Sequence, residues 1–352
     1  MATSTTIDVY KTKTKALSGY KKFHNQGYKG SGITVCVIDS GVNPHVEFGN
    51  RLLTDKCKSF ARGDVSIYDE GTIGHGTHVA SLIAGANCGI APEAKIISYK
   101  VIGGEGAAWN EDIISALDYI YNVGYEFIDI VNMSLGGRPD ATVLTGAYED
   151  AINRVVLERG IPIIVAAGNG GVEEYLYPAS FQEVITVGAV NFNRTIAQFS
   201  TSSSEVDLAQ IGVDVWGANY HGGYIQMSGT SMASPYACGI GVLLLDKYKK
   251  IFNKRMAEPV FYETMKMNTM DIGAVGIDKN TGAGFCTLGD GVVAQYKKLT
   301  NQRIVNGVSM PMDCTVLYQA GRMYSPARFI AESNNGEVFW SSSLPDDFEV
   351  IS

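Results

Sequence analysis

Three short segments of this 352-residue chain each place a reactive side chain beside glycine. The segments are VIDSG at 37–41, GHGTH at 74–78 and GTSMASP at 229–235, and they carry Asp39, His75 and Ser231. A hydroxyl becomes an effective nucleophile when an imidazole takes its proton and a carboxylate holds that imidazole in place. Together, the three residue types therefore indicate nucleophilic catalysis by a serine.

Each of these residues also has an ordinary structural explanation when it is taken alone. Asp39 is typical of a turn that follows an apolar strand, and Thr230 or Ser231 is a common type of residue at the N-cap of a helix. On spacing alone, either His75 or His78 fits the functional role. A zinc site at the two histidines is not favoured, because no glutamate lies between them and no third ligand is nearby.

The surrounding sequence predicts the elements that must position these residues. Short β-branched runs predict strands at 33–38, 96–101, 128–133, 161–166 and 184–190, and helical periodicity predicts helices at 112–123, 142–159 and 231–250. Such alternation favours an α/β fold in which helices cover both faces of a mostly parallel sheet, making three layers. Sites in such folds lie at the carboxyl ends of the strands, where Asp39 is expected.

The predicted helix at 231–250 gives Ser231 a suitable chemical environment. The N–H groups and the positive dipole end of a helix N-terminus stabilise negative charge that develops on a substrate oxygen beside an attacking serine. The segment is not the Gly-x-Ser-x-Gly turn of esterases and lipases, so that class of enzyme is less favoured.

In this order, the three segments resemble the signature segments of the subtilisin family of serine peptidases, in the style of its intracellular members. The resemblance covers about residues 20–296. It implies the three-layer subtilisin-like fold and a serine endopeptidase that cleaves extended polypeptides through an acyl-enzyme. Ser231 would be the nucleophile, His75 the general base and Asp39 the residue that fixes the imidazole. The segment AAGN at 166–169 resembles the oxyanion segment of the family, which implies Asn169 as an oxyanion donor.

The resemblance also implies where a peptide substrate would bind. The segment SLGG at 134–137 resembles the wall of the primary specificity pocket, and 104–108 resembles an edge strand that pairs with the substrate backbone. The residues implied for substrate binding are Gly104, Gly106, Ala107, Ser134, Leu135 and Gly136. Leu176 falls at the base of the pocket and predicts a shallower one, while Glu173 and Glu174 are either partners for a basic side chain or solvated loop charges.

No organic cofactor is implied, and the family's cation sites are only partly matched. The segment at 86–92 is shorter than the loop that carries the tight calcium site, so that site is expected to be absent. A weaker site for calcium or a monovalent cation is implied at Ala179, Phe181 and Val184, with Asp207 nearby, because such ions prefer oxygen ligands.

The composition limits the remaining classes of function. The net charge of −8 argues against a nucleic-acid partner, and the basic N-terminal lysines are interpreted as solvated surface. Residues 1–30 hold no apolar core of the signal-peptide type, and no apolar run is long enough to span a membrane. We therefore expect a cytoplasmic protein without a membrane partner, with secretion as the alternative if a leader has been removed. The six cysteines form no C-x-x-C pair, which disfavours a zinc cluster.

Two divisions of the chain and one rival function follow from these patterns. We predict a peptidase domain at 1–296 and a C-terminal extension of short β-strands at 297–352, with strands at 314–319, 328–331 and 338–340. The rival is a non-catalytic relative that only holds peptides in the same cleft. A broken set of catalytic residues would mark such a protein, whereas Asp39, His75, Asn169 and Ser231 all stand in matching segments here.

Overall fold

The computed structural model describes residues 2–8, 11–70 and 74–289, together with the backbone of five short strands between 295 and 324. The strands before residue 290 have the following bounds in chain order: β1 Thr3–Ser4, β2 Thr34–Asp39, β3 Lys58–Ser59, β4 Lys95–Lys100, β5 Ile130–Met133, β6 Ile163–Ala166, β7 Ile185–Val190, β8 Leu208–Ile211, β9 Val215–Ala218, β10 Tyr224–Met227, β11 Thr269–Met270 and β12 Phe285–Cys286.

A nine-stranded sheet forms the centre of the fold, in the order β11-β12-β8-β7-β6-β5-β2-β4-β3. All its neighbouring strands run parallel except the edge pair of β11 and β12. All six residues of β2 are buried, as expected for an apolar strand covered on both faces. Because β2 lies between β4 and β5, it is an interior strand, and its carboxyl end is flanked by a neighbouring strand on each side.

The helices have these bounds: α1 Lys13–Ala16, α2 Lys21–Asn25, α3 His75–Ala84, α4 Asn110–Asn122, α5 Ala141–Leu144, α6 Ala147–Asn153, α7 Thr230–Phe252 and α8 Glu258–Met267. Short 3₁₀ turns span Gly49–Arg51, Thr54–Lys56 and Gly124–Glu126, and a π-helical turn spans Arg154–Glu158. Helix α3 packs on α7, α7 packs on β5 to β8, and α4 packs on α6. The three-layer α/β fold predicted from the sequence is confirmed.

Five predicted strands of the central sheet and two of the three predicted helices agree with the structure. The five predicted strands are β2, β4, β5, β6 and β7, each within two residues of its predicted ends. The single helix predicted at 142–159 is wrong, because the segment contains α5, α6 and the π-helical turn. Gly146 lies between the two helices with a left-handed φ of 78°, a conformation that glycine adopts without strain and that ends a helix.

The C-terminal strands are β13 Gln295–Lys298, β14 Gln302–Val305, β15 Val308–Pro311, β16 Thr315–Gln319 and β17 Arg322–Tyr324. Strand β16 coincides with the strand predicted at 314–319, whereas 328–331 and 338–340 lie outside the described residues. The division of the chain at residue 296 stays a prediction.

Five cysteines of the described part are buried free thiols: Cys36, Cys57, Cys88, Cys238 and Cys286. Cys314 lies outside the described residues. Among the helices that the structure describes, none combines the length and apolar character that crossing a membrane requires.

Candidate active site

The three reactive residues occupy the ends of three different elements. Asp39 is the last residue of β2, His75 is the first residue of α3 and Ser231 is the second residue of α7. Both helices follow a glycine, and α3 and α7 pack against each other beside the carboxyl end of β2. Residues that are far apart in the sequence therefore meet at one edge of the sheet.

Asp39 and His75 form a direct hydrogen bond. The imidazole Nδ1 donates to Oδ1 of Asp39 at 2.8 Å, and Asp39 is fully buried while the His75 side chain is 20% exposed. Burial alone would lower the pKa of His75, but the charge and hydrogen bond of Asp39, with the charge of Asp69, outweigh it and raise the pKa above its usual value. With Nδ1 held by Asp39, the opposite nitrogen, Nε2, is the one that can accept a proton.

The glycines on either side of His75 are required by close packing. A side chain at Gly74, which has a left-handed φ of 67°, would collide with the ring of Tyr220. A side chain at Gly76 would collide with the carbonyl oxygen of Gly41. Because Gly76 has no side chain, the first turn of α3 can approach the end of β2 and the segment that follows it.

The second histidine of the segment has a structural position. His78 is buried, its Nε2 lies 3.2 Å from the carbonyl oxygen of Ile225, and burial lowers its pKa to about 3. The choice between His75 and His78, open from spacing alone, is decided by which of them reaches Asp39.

Ser231 is held by a reciprocal pair of hydrogen bonds with Ser134. Its Oγ donates to the carbonyl oxygen of Ser134 at 3.3 Å, and the Ser134 hydroxyl donates to the carbonyl oxygen of Ser231 at 3.0 Å. That carbonyl would normally accept from the residue four positions later, but this residue is Pro235, which has no N–H. Ser134 therefore supplies the donor that Pro235 cannot.

Asn169 lies in the loop after β6 and is fixed by the residue before Ser231. Its Oδ1 accepts from the backbone N–H of Thr230 at 2.8 Å and from the Thr230 hydroxyl at 3.1 Å. Because both bonds engage the amide oxygen, the Nδ2 donor is the end that remains for the cleft, which Asn169 and Ser231 line together.

A cleft with a volume of about 570 Å³ contains these residues. Among its lining residues are His75, Asn169 and Ser231, and most of those predicted to bind substrate: Gly106, Ala107, Ser134, Leu135 and Gly136. Gly104 lies in the same turn as Gly106 but is not among the residues that line the cleft. The structure thus brings together most of the predicted site.

The segment at 104–108 differs from its prediction as an edge strand. Ile102 and Ala108 form an isolated antiparallel bridge that closes a turn, and Gly106 adopts a left-handed φ of 78° within it. A left-handed residue cannot continue an extended strand, so the glycines fold this segment back on itself.

Leu176 lines the cleft, and its side chain packs against Gly168. The two nearby glutamates are engaged elsewhere, since Glu174 pairs with Arg138 at 2.9 Å and Glu173 pairs with Lys279 at 2.5 Å. This arrangement agrees with solvated loop charges more than with partners for a basic substrate side chain.

Two of the four predicted cation ligands, Ala179 and Asp207, accept hydrogen bonds from protein groups. The carbonyl oxygen of Ala179 accepts from the Thr186 hydroxyl at 2.7 Å, and Asp207 accepts from the Thr186 N–H and the Tyr262 hydroxyl. Burial raises the pKa of Asp207 to about 6. Phe181, Val184 and Asp207 line a second cavity. In the described part of the chain, no three His, Cys, Asp or Glu side chains are grouped as a metal site.

Two polar residues beside Asp39 were missed by the sequence reasoning. Ser40 hydrogen-bonds to Asp39 through its backbone N–H at 2.7 Å, and Asp69 is buried beside Ser40. Ser40 could have been noticed as the neighbour of Asp39. Asp69 lies in a polar loop with no periodic signal, so its place beside the site is visible only in three dimensions.

Comparison with known proteins finds a matching family and similar sequences. Residues 30–284 match the sequence profile of the subtilase family. The chain is 33% identical to the major intracellular serine protease of Bacillus subtilis (strain 168) over 265 residues, which is 70% of this chain and 79% of the relative. It is 34% identical to an intracellular serine protease of Paenibacillus polymyxa over 261 residues, covering 70% and 76% of the two chains.

A solved structure also resembles the fold. The crystal structure of a cold adapted subtilisin-like serine proteinase superimposes with a TM-score of 0.64 at 30% identity, covering 74% of this chain and 90% of the other. The matched profile spans more than two thirds of the chain and all the residues of the candidate site. The chain therefore belongs to the subtilase family and is a serine endopeptidase of the subtilisin type.

Proposed function

We propose that this protein hydrolyses peptide bonds of extended polypeptides through an acyl-enzyme, using Ser231 as nucleophile, His75 as general base, Asp39 as the residue that holds His75 and Asn169 as oxyanion donor. The observation that carries the proposal is the 2.8 Å hydrogen bond between Asp39 and His75 at a cleft that also contains Ser231 and Asn169. A buried carboxylate that holds an imidazole beside a serine has the geometry of nucleophilic acyl transfer.

In the first half of the proposed reaction, Ser231 Oγ turns from the carbonyl oxygen of Ser134 and attacks the scissile carbonyl carbon. Its proton passes to Nε2 of His75, and Asp39 stabilises the imidazolium that forms. The negative oxygen of the tetrahedral intermediate accepts hydrogen bonds from Nδ2 of Asn169 and the backbone N–H of Ser231. The C–N bond then breaks, His75 returns the proton to the leaving amine, and an ester on Ser231 remains.

Water completes the second half by the same route. His75 removes a proton from the water as it attacks the ester, and the carboxylic acid product leaves when Ser231 recovers its proton. These steps use only side chains and backbone groups of the chain, so no organic cofactor is proposed.

The proposed substrate is an extended polypeptide segment bound along the cleft. We assign Gly104, Gly106 and Ala107 to one side of the substrate backbone and the segment at 134–136 to the other. The support for the first side is that Gly106 and Ala107 line the cleft. Leu176 supports a pocket that favours small and medium side chains at the residue before the scissile bond.

A serine-directed phosphonylating reagent tests the proposal. We expect a single adduct on Ser231 by mass spectrometry and cleavage of an unstructured protein. In Ser231→Ala the adduct should be absent, and the rate of cleavage should fall by on the order of 10⁴-fold or more. Ser228→Ala is a matched control, because Ser228 lies three residues away and its hydroxyl bonds the backbone N–H of Asp214. Labelling at another residue, or cleavage that survives in Ser231→Ala, would contradict the assignment.

The same experiment separates the two other classes of function. A non-catalytic peptide-binding protein would retain bound peptide without cleaving it or reacting with the reagent. An esterase would hydrolyse small esters to an acid and an alcohol while leaving polypeptide intact.

We also propose a weak binding site for calcium or a monovalent cation, formed by Ala179, Phe181, Val184 and Asp207. Ions are first removed from Ser231→Ala with a chelator. Addition of millimolar calcium should then raise its melting temperature, and adding Asp207→Asn to this variant should abolish the rise. A melting temperature that does not respond to calcium, sodium or potassium would remove the site.

We also infer a cytoplasmic location. The support is that two relatives with more than 30% identity are described as intracellular proteases. Fractionation of cells that express the full natural gene would test it, and recovery of the protein in the medium would contradict it.

A further inference from the structure

A second buried carboxylate lies beside the Asp39–His75 pair. Asp69 is 2% exposed and lines the same cleft as His75. Ser40 connects the two acids, because its Oγ is 3.2 Å from Oδ1 of Asp39 and 2.9 Å from Oδ1 of Asp69. The two carboxylates are therefore separated by a single hydroxyl group.

The hydrogen-bond count at Ser40 shows that this hydroxyl is shared. Its oxygen accepts from the backbone N–H of Gly76 at 2.9 Å, and its single proton can be donated to only one acid at a time. In the described structure, the second carboxylate oxygen of Asp39 has no hydrogen-bond partner. The Ser40 hydroxyl can therefore donate its proton either to Asp39 or to Asp69, but not to both at once.

Asp69 also contacts the helix that carries His75. Its Oδ2 accepts from the backbone N–H of Thr77 at 3.0 Å, in the first turn of α3, where the helix dipole favours negative charge. Its own backbone N–H donates to Asn43 at 2.7 Å. The loop is further fastened by the buried Lys100, which donates to the carbonyl oxygen of Tyr68 at 2.8 Å. Asp69 is held firmly and is not a mobile surface acid.

We propose that Asp69 is a positioning residue of this peptidase, which fixes Asp39 and α3 through Ser40 and Thr77 and adds a second negative charge near the imidazolium that forms during catalysis. This inference rests on the proposed function of His75 as general base. It assigns a task to a residue that touches neither the substrate nor the reacting atoms.

The direction of the effect follows from the charges around His75. The ionisable groups near His75 and Asp69 are Asp39 from β2, Lys100 from β4, His78 from α3, Glu70 from the loop and Tyr220 from the turn before β10. Burial and then the charge of Asp39 raise the pKa of Asp69, while the charge of Asp69 helps to raise the pKa of His75. Neutralising Asp69 should therefore lower the pKa of His75.

The test is the pH dependence of kcat/KM for Asp69→Asn, which keeps the shape of the side chain and removes its charge. The acid limb reports the pKa of the free enzyme's base, so we expect it to move to lower pH by roughly half a unit or more. We also expect kcat on the plateau to fall about tenfold while KM stays within twofold, because the imidazolium forms only in the transition state.

Glu149→Gln is the matched control, since it removes one negative charge from an exposed position on α6. It should leave the acid limb and kcat unchanged. Active-site titration with the phosphonylating reagent counts the folded molecules, so each rate refers only to competent enzyme. An unmoved acid limb in titratable Asp69→Asn overturns the inference, while absence of Ser231 labelling in the unmodified protein instead overturns the proposed function.

If Asp69→Asn does not fold, Ser40→Ala tests the connection between the two acids instead. It removes the hydroxyl between the acids but keeps both charges, so we expect kcat to fall about tenfold with KM nearly constant and the acid limb to stay within 0.3 units or so of the unmodified enzyme. Unchanged kcat in Ser40→Ala would overturn the proposed connection between Asp69 and Asp39.

Discussion

The side-chain oxygen of Asn169 accepts a hydrogen bond from the backbone N–H of Thr230 at 2.8 Å, directly before Ser231 in the chain. The loop after β6 and the start of α7 are thereby fixed to each other. The hydroxyl of Thr230 strengthens the link, since it bonds Asn169 and accepts from the backbone N–H of Gly168 at 3.1 Å. The proposed oxyanion donor and the proposed nucleophile are positioned by one small network.

Replacement of Asn169 by alanine should lower kcat with little change in KM. Removing the corresponding type of donor from subtilisin costs about 10²- to 10³-fold in kcat, and we expect a loss of that order, because the donor acts on charge that exists only in the transition state. Steady-state kinetics on a peptide substrate, scaled by active-site titration, measures both constants.

Thr230→Val serves as the comparison for Asn169→Ala. It removes the hydroxyl but keeps the backbone N–H that orients the amide, so its loss of kcat should be smaller. A large rise in KM with unchanged kcat in Asn169→Ala would instead assign Asn169 to ground-state binding.

Replacement of Leu176 by glycine should deepen the pocket and shift the substrate preference. We expect the ratio of kcat/KM for peptides with phenylalanine over alanine before the scissile bond to rise about tenfold or more, since a few methylene groups in an apolar pocket change specificity by that order. A matched peptide series measures the ratio. Leu144→Ala, at a side chain that is 81% exposed, should leave it unchanged. An unaltered ratio in Leu176→Gly would place the pocket elsewhere.

His78 should make the protein less stable as the pH falls. Its pKa of about 3 in the folded state lies below the value of 6.5 usual for histidine, so the unfolded chain takes up a proton that the folded chain does not. The resulting stability is complete above pH 6.5 and declines toward pH 3, by up to about 1.4 kcal/mol per pH unit. Denaturant unfolding of Ser231→Ala, which cannot digest itself, measures this decline.

The contribution of His78 is isolated by adding His78→Asn to Ser231→Ala. The free energy of unfolding should then depend less steeply on pH between 6.5 and 3, because asparagine does not titrate. His221→Asn, at an exposed histidine, should leave the slope unchanged. Equal slopes in all three proteins would show that His78 binds its proton in the folded state.

A chain that ends at residue 296 should fold and still react at Ser231. All proposed site residues precede this point, and the peptidase part is closed by a hydrogen bond from the backbone N–H of Leu288 to the carbonyl oxygen of Ser18 at 2.7 Å. Circular dichroism and phosphonylation test the prediction, and an unfolded product would refute the division at 296. A changed melting temperature or cleavage rate would give residues 297–352 a stabilising or regulatory role, and unchanged values would exclude both.

Local pattern was sufficient for five strands of the central sheet and for helices α4 and α7. The strands from β2 to β7 in the central sheet were predictable, apart from the two-residue β3, because buried β-branched runs leave few alternatives. Helix α7 was predictable from its apolar length. The helix predicted at 142–159 was wrong because its apolar periodicity continues across Gly146, whose left-handed backbone interrupts the helix without changing the pattern.

The sequence by itself determined the reactive residue types, their order and the family that they resemble, since these depend only on which residues stand in which segments. Tertiary structure decided that His75 and not His78 reaches Asp39, that Ser134 supplies the donor missing at Pro235, and that Asp69 is buried beside the pair. These relationships join residues on different elements. They exist only after β2 has paired between β4 and β5 and α3 has packed against α7, because distance and burial are properties of the folded chain.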